Sequence, residues 1–284
     1  MKKRKKGLLF KKQYVIINLF LSKKIIQGIY MLQNEAEKEF LKAYDSSVFD
    51  KLSVATDLLV FSISDVKTNN YRKLPEKIMS VFLTSRDQFP FKNMWSLAGG
   101  FVGPLESPEE TAKRVLKQKI HLENLYLEQL YTFGDVGRDP RTRIISIAYM
   151  ALVNRSDMPL HLQQSDSWFN ILREDGKLVL QNENNPLLRI DLNDPNALAF
   201  DHTKIIKVGL ERLKNKIEYT DLVFHLVPNE FTLTELQNVY EAILGKKLLA
   251  PAFRRVIKSK VQETGDLTSG SGHRPSALYK QKEE

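Results

Sequence analysis

The chain has 284 residues, 42% of them hydrophobic, which is enough apolar material for the cores of two ordinary domains. It contains no cysteine, which excludes disulfide frameworks, thiolate metal sites and cysteine nucleophiles and favours the reducing cytoplasm. The formal net charge of +9 is uneven: residues 1–30 hold nine Lys or Arg and no acid, residues 31–243 are mildly acidic, and residues 244–282 carry nine basic residues against Glu263 and Asp266.

Residues 1–30 pair a basic start with an apolar stretch of about eight residues, too short to span a bilayer. Lys23 and Lys24 stand where a signal peptide would place small residues. The segment is expected to lie outside the fold as an upstream extension or a mis-assigned start, with a basic arm touching DNA or membrane as the alternative. From Met31 an amphipathic helix is expected, carrying Leu32, Ala36, Phe40, Leu41 and Tyr44 on its apolar face. No segment reaches transmembrane length, so no membrane partner is expected.

Residues 53–64 and 77–83 are apolar and β-branched and read as a strand pair; residues 95–102 form a further strand with a glycine pair, Gly99 and Gly100. Ser107, Pro108 and Glu110 then supply an N-cap, a proline at the first helical position and the glutamate of a capping box. A helix is therefore expected over 108–120. Strands follow at 127–133 and 144–153, then Trp168–Phe169, a turn at 174–176 and a strand at 177–181. Strands, helix, strands without regular βαβ alternation describe an α/β domain with a mixed sheet over 31–195, closed by a linker at 193–196.

Residues 200–284 change character. Asp201 is placed to cap a helix whose apolar positions are Ile206, Leu210, Leu213 and Ile217. Thr232 and Glu235 form a second capping box before the stripe Leu236, Val239, Tyr240 and Ile243, which Gly245 ends. A third helix opens at Pro251, with Phe253, Val256 and Ile257 facing inward and Arg254, Arg255 and Lys258 outward. Two strands, 261–264 and 277–280, flank a Gly/Ser-rich tip that carries His273 and Arg274. Helix, helix, basic helix and wing make a winged helix-turn-helix, in which Thr232, Thr234, Arg254, Arg255, Lys258, His273 and Arg274 are the expected DNA contacts. A small helical oligomerisation module is the alternative, as an ordinary solvated face is for the basic charge.

Residues 100–122 resemble the Nudix box, G-x5-E-x7-R-E-U-x-E-E-x-G-U, at Gly100, Glu106, Arg114, Leu116 and Leu122. The three box glutamates that hold divalent metal in active members are here Val115, Gln118 and Lys119, and the box glycine is His121. The register implies a Nudix fold while the residues predict no catalytic residue, metal or cofactor. A coincidental glycine strand and capped helix is the alternative. Residues 137–141 and the strand after them are similar to the post-box loop of the ADP-ribose-recognising Nudix subgroup and its regulator relatives. Glu106, Arg114, Gln118, Lys119, Arg138, Asp139 and Arg141 are then the candidate effector contacts, with a loop-ordering Arg/Asp network as the other role for Arg138, Asp139 and Arg141.

Both domains in this order, over 31–282, resemble the Nudix-related transcriptional regulators. That likeness implies a homodimeric repressor of a catabolic operon, bound to double-stranded operator DNA and responsive to a small effector, a sugar such as arabinose or an ADP-ribose-like molecule. His273 departs from the commoner Arg-Arg wing. The alternative is an active Nudix hydrolase acting on ADP-ribose or a related nucleoside diphosphate derivative.

Overall fold

The computed structural model describes residues 35–66, 76–123, 125–165, 167–268 and 275–282. Helix α1 (Glu35–Ala43) and the 3-10 turn Ser46–Val48 form one unit, and the chain from Leu52 onward forms another. At α1 and its exit the Phe40 and Tyr44 ring centroids are 5.6 Å apart, with both rings exposed; the expected helix start at Met31, with Leu32, lies outside the described residues. The N-terminal extension lies outside the described residues.

The larger unit is organised about β1 (Ser53–Asp65). Around it come β2 (Lys77–Phe82), the short pair β3 (Thr84–Ser85) and β4 (Trp95–Ser96), β5 (Ala98–Phe101), β6 (Tyr126–Phe133) and β7 (Ile144–Leu152). A hairpin, β8 (Trp168–Glu174) and β9 (Lys177–Asn182), and β10 (Arg189–Asp191) complete the sheet, in the order β10-β9-β8-β2-β1-β7-β6 with β5 also on β1. β1 runs parallel to β7 and antiparallel to β2 and β5. The expected strand pair and mixed sheet are both present; the expected strand over 95–102 is interrupted at Leu97.

β1 reads as a nearly unbroken apolar run because both of its faces are covered. Leu58 and Val60 face α2 (Pro108–Val115) through Ala112, Val115 and Leu116, whereas Leu59, Phe61 and Ile63 face the opposite layer. The α2 capping box forms as expected, Ser107 Oγ accepting from the Glu110 N–H and Glu110 Oε2 from the Ser107 N–H. The helix then loosens into a five-residue π turn, Leu116–Ile120, and ends on His121 at φ 58°, the left-handed conformation that a box glycine would supply. Leu160–Gln163 forms the short helix α3.

The opposite layer corrects two expectations. α4 (His202–Lys216) was expected to open the C-terminal module, but it packs on the sheet: a Cβ added at Gly209 would come within 2.0 Å of Leu59 Cδ2. Asp201 precedes α4 without capping it, because its carboxylate is taken by Arg138. Beyond α4 come a 3-10 turn (Leu222–Leu226), α5 (Leu233–Leu244), α6 (Ala250–Ile257) and the antiparallel pair β11 (Val261–Leu267) and β12 (Ala277–Gln281). The core of this module is continuous with the sheet, since Leu236, Val239 and Ile243 of α5 share one apolar cluster with Phe61, Val81 and Ile171.

Candidate functional site

A cavity of about 320 Å³ opens where β1, β3 and the residues after it, the Gly99–Gly100 strand, the 138–141 loop and the start of α4 meet. Its floor is a buried charge network. Asp57, on β1, accepts from Ser146 Oγ at 2.6 Å and from Arg138 Nη2 at 3.0 Å, and faces His202 Nε2 at 3.5 Å. The Leu97 N–H donates to His202 Nδ1 at 2.9 Å, so the imidazole carries its proton on Nε2, toward Asp57. Burial opposes ionisation of Asp57, but His202, Arg138 and Ser146 together hold its carboxyl well below the usual range. Arg138 also grips Asp201 through Nε at 3.0 Å and Nη2 at 2.6 Å, tying the loop to α4. Gly99 has no room for a side chain, since a Cβ there would lie 2.6 Å from Asp57 Oδ1 and 2.8 Å from the Thr56 carbonyl.

The rim differs in character. Asp139 is buried and accepts from the Arg141 backbone N–H and from Arg141 Nε and Nη2, which holds the arginine outward over the rings of Phe101, at 5.5 Å, and Phe200, at 5.8 Å. Arg86 also lies over the Phe200 ring, at 4.8 Å, and is fixed by donating to the Pro90 carbonyl at 2.8 Å. Phe200 itself is held at φ 55°, an uncommon conformation for an aromatic residue, which turns its ring into the cavity. Lys119 Nζ donates to the Gly99 carbonyl at 2.6 Å. Burial and the nearby Arg86 and Arg114 lower the Lys119 ammonium pKa, and burial and Arg141 lower that of Arg86. Three cations thus crowd one rim; of the lining carboxylates, Asp57 and Asp139 are committed to arginines, while Asp87 stands near Arg86 and Lys119.

The candidate effector residues divide accordingly. Lys119, Arg138, Asp139 and Arg141 line the cavity, but Arg138 and Asp139 serve as its scaffold, which is the loop-ordering alternative. Glu106, Arg114 and Gln118 do not line it. Glu106 takes a two-pronged ion pair from Arg114 at 2.7 and 2.9 Å and a hydrogen bond from Thr111, and its pKa falls to about 2, chiefly through Arg114. That pair closes the loop after β5 onto α2. Arg86, Phe101, Phe200, Asp57 and His202 were not anticipated. Only Asp57 left a signal, an acid inside an otherwise apolar strand, which demands partners.

A divalent ion does not fit this box. Val115 is 1% exposed and packs in the core, Gln118 lies outside the cavity and Lys119 presents a cation to it. Among the described residues no group of three or more His, Cys, Asp or Glu is placed to hold a metal.

The second surface is α6. Phe253 and Ile257 are buried, and Arg254, Arg255 and Lys258 are exposed, with no ion pair for any of them among the described residues. Val256, expected inside, is 63% exposed, because α6 buries only the narrow stripe of Phe253 and Ile257, and 100° per residue turns Val256 to its side. Thr232 is buried and its hydroxyl caps α5 by accepting from the Glu235 N–H at 3.1 Å, so its side chain is occupied by the helix end; Thr234 is exposed beside it. His273 and Arg274 lie outside the described residues. β12 is anchored by the Phe231–Tyr279 backbone pair, 2.9 and 2.8 Å, which sets the two-stranded wing against the start of α5.

A box-bearing mixed sheet with a rebuilt cavity, joined to helix, basic helix and wing, defines a Nudix fold coupled to a winged helix. Comparison with known proteins agrees. Residues 72–186 match the NUDIX domain family model and residues 223–281 the model of the NrtR DNA-binding winged helix domain. The ADPR responsive transcriptional repressor NtrR of Acinetobacter baylyi is 34% identical over 251 residues, covering 86% of this chain and 88% of that protein. Among solved structures, a MutT/nudix family protein from Enterococcus faecalis is similar at 25% identity and a TM-score of 0.69, covering 89% of this chain and 95% of that one. Shewanella oneidensis NrtR complexed with a 27mer DNA is similar at 28% identity and a TM-score of 0.60, covering 81% and 93%. The chain belongs to the Nudix-related transcriptional regulators, DNA-binding repressors with a Nudix domain and a C-terminal winged helix.

Proposed function

We propose that this repressor senses ADP-ribose in the cavity above Asp57, without hydrolysing it, and that effector binding changes the affinity of the winged helix for operator DNA. The observation that carries this reading is the convergence of Arg86, Lys119 and Arg141 with the rings of Phe101 and Phe200 on one cavity. Three cations on one rim suit a diphosphate, and the exposed ring of Phe101 with the half-buried ring of Phe200 beside them suits a base or ribose face. A neutral sugar such as arabinose would bring no negative charge to Arg86 and Lys119, which have no ion pair among the described residues. The name of the Acinetobacter relative, an ADPR responsive repressor, supports the same effector. The absence of turnover follows from Val115, Gln118 and Lys119 at the metal-binding positions of the box. Among the described residues no helix is long and apolar enough to cross a membrane, and the protein would act in the cytoplasm. One short α6 and one wing reach few phosphates, so a homodimer spanning two half-sites is the expected binding form.

The test uses the full chain, a duplex selected by it from a randomised pool, and ADP-ribose with magnesium. Operator affinity should shift with ADP-ribose and not with arabinose, Arg141→Ala should weaken that response, and no AMP should form. AMP release abolished by EDTA would establish the hydrolase alternative instead.

A further inference from the structure

The exposed surface of α6 is chemically two-sided. With Phe253 and Ile257 fixed inward and 100° of rotation per residue, Arg255 falls at the centre of the outer surface. Arg254 and Lys258 then lie on one flank, and Ala252 and Val256 on the other. All five are exposed, Val256 to 63%. The cationic flank has no carboxylate partner among the described residues, which leaves it free for phosphates. The other flank offers a β-branched group with one strongly preferred rotamer in a helix, so it loses little freedom when it is covered. On the major-groove edges of base pairs the apolar feature is the C5-methyl of thymine.

We propose that Val256 is a base-reading residue whose isopropyl group packs on a thymine methyl while Arg254 and Lys258 hold the flanking phosphates. The inference rests on α6 being the helix that enters the groove. It adds that part of the sequence preference is apolar and comes from a residue outside the arginine set.

The experiment takes a duplex recovered by the wild-type chain from a randomised pool and replaces each thymine singly with deoxyuridine, which removes only the methyl. Wild type, Val256→Ala and the double variant Arg254→Ala/Arg255→Ala are titrated against each duplex. At one position in each half-site, deoxyuridine should weaken wild-type binding about fourfold, the loss expected for one buried methyl. Val256→Ala, which removes the contact from both half-sites at once, should weaken binding to the thymine duplex by about the square of that factor, become indifferent to deoxyuridine at those positions alone, and melt at the wild-type temperature. Retention of every deoxyuridine penalty by Val256→Ala, or wild-type affinity in that variant, overturns the proposal. So does a change in its sedimentation with unchanged DNA binding, which would make the flank a self-association surface. If the double arginine variant also binds specific and non-specific DNA normally, the placement of α6 in the groove fails as well; if it loses binding while Val256→Ala does not, only the thymine contact fails.

Discussion

Asp57 and Arg138 show how the floor of the cavity is built on charges already paired within the protein. Both are buried, at 7% and 8% exposure, and each has more than one partner: Ser146, His202 and Arg138 for the aspartate, Asp57 and Asp201 for the arginine. Removing the negative charge with Asp57→Asn leaves Arg138 with Asp201 alone and should destabilise the fold by at least about 2 kcal/mol, toward the lower range for breaking a buried pair because one partner survives. Chemical denaturation of the variant beside wild type measures it. The pH dependence has a definite sign. The folded pKa of Asp57 is depressed, so its contribution is present above the unfolded aspartate value, about 3.9, and is lost as pH falls below it toward the folded value. Asp139, held low by Arg141 against its own burial, acts in the same direction. Unfolding midpoints should therefore be flat from neutral pH to about pH 5 and fall below about pH 4, with a shallower fall in Asp57→Asn.

At the level of elements, both capping boxes were legible in the sequence, because each is a local pattern enforced by orphan N–H groups within four residues. The apolar stripe of α4 was legible too, but not its destination: a stripe says that a helix buries a face, not against what. Gly209 was the missed clue, as it is the small residue that admits the helix onto β1. Gly209→Ala would gain about 1 kcal/mol of helix propensity, yet its Cβ meets Leu59 and Phe61, both fully buried, and overpacking costs about 1–3 kcal/mol. The net expectation is a loss of up to about 2 kcal/mol, partly relieved in Gly209→Ala/Leu59→Ala; a stabilised single variant would refute the close approach. Cavity residues such as Arg86, Phe101 and Phe200 were illegible because they come from three distant segments that only the tertiary fold unites. The outward charges of α6 were legible, and they separate by role. Arg255→Ala should weaken operator binding by about 1–3 kcal/mol with less effect on scrambled DNA. Lys258→Ala should lower affinity for both and flatten the salt slope by about one unit. Titrations at two salt concentrations distinguish the two outcomes.

Across the whole molecule, the cavity and the DNA-binding module share one stretch of backbone. β2 leads directly into Thr84–Ser85 and Arg86 at the cavity, while its own face carries α5 of the winged helix. Next to β2, strand β8 sends Arg173 to the end of α5, where its guanidinium donates to the carbonyls of Ala242 at 3.3 Å and Ile243 at 3.2 Å. Among the described residues Arg173 has no carboxylate partner, and burial lowers its pKa, so the negative end of the helix dipole is its compensation. Gly245 follows at φ 68°, and a Cβ there would come within 2.9 Å of Arg173 Nε, so the helix end and the arginine are fitted to each other. A shift of β2 and β8 on effector binding would therefore move α5, and α6 with it, as one piece. Coupling of this kind is a free energy, typically about 1–3 kcal/mol, read as the ratio of operator affinities with and without effector. Arg173→Ala should bring that ratio toward one while ADP-ribose binding to the DNA-free protein stays near wild type, since Arg173 does not line the cavity. Its melting temperature should fall modestly, reflecting the lost helix-end contact. A lower melting temperature with an unchanged ratio would reduce Arg173 to a helix cap and place the coupling in the packing of α5 on β2 instead.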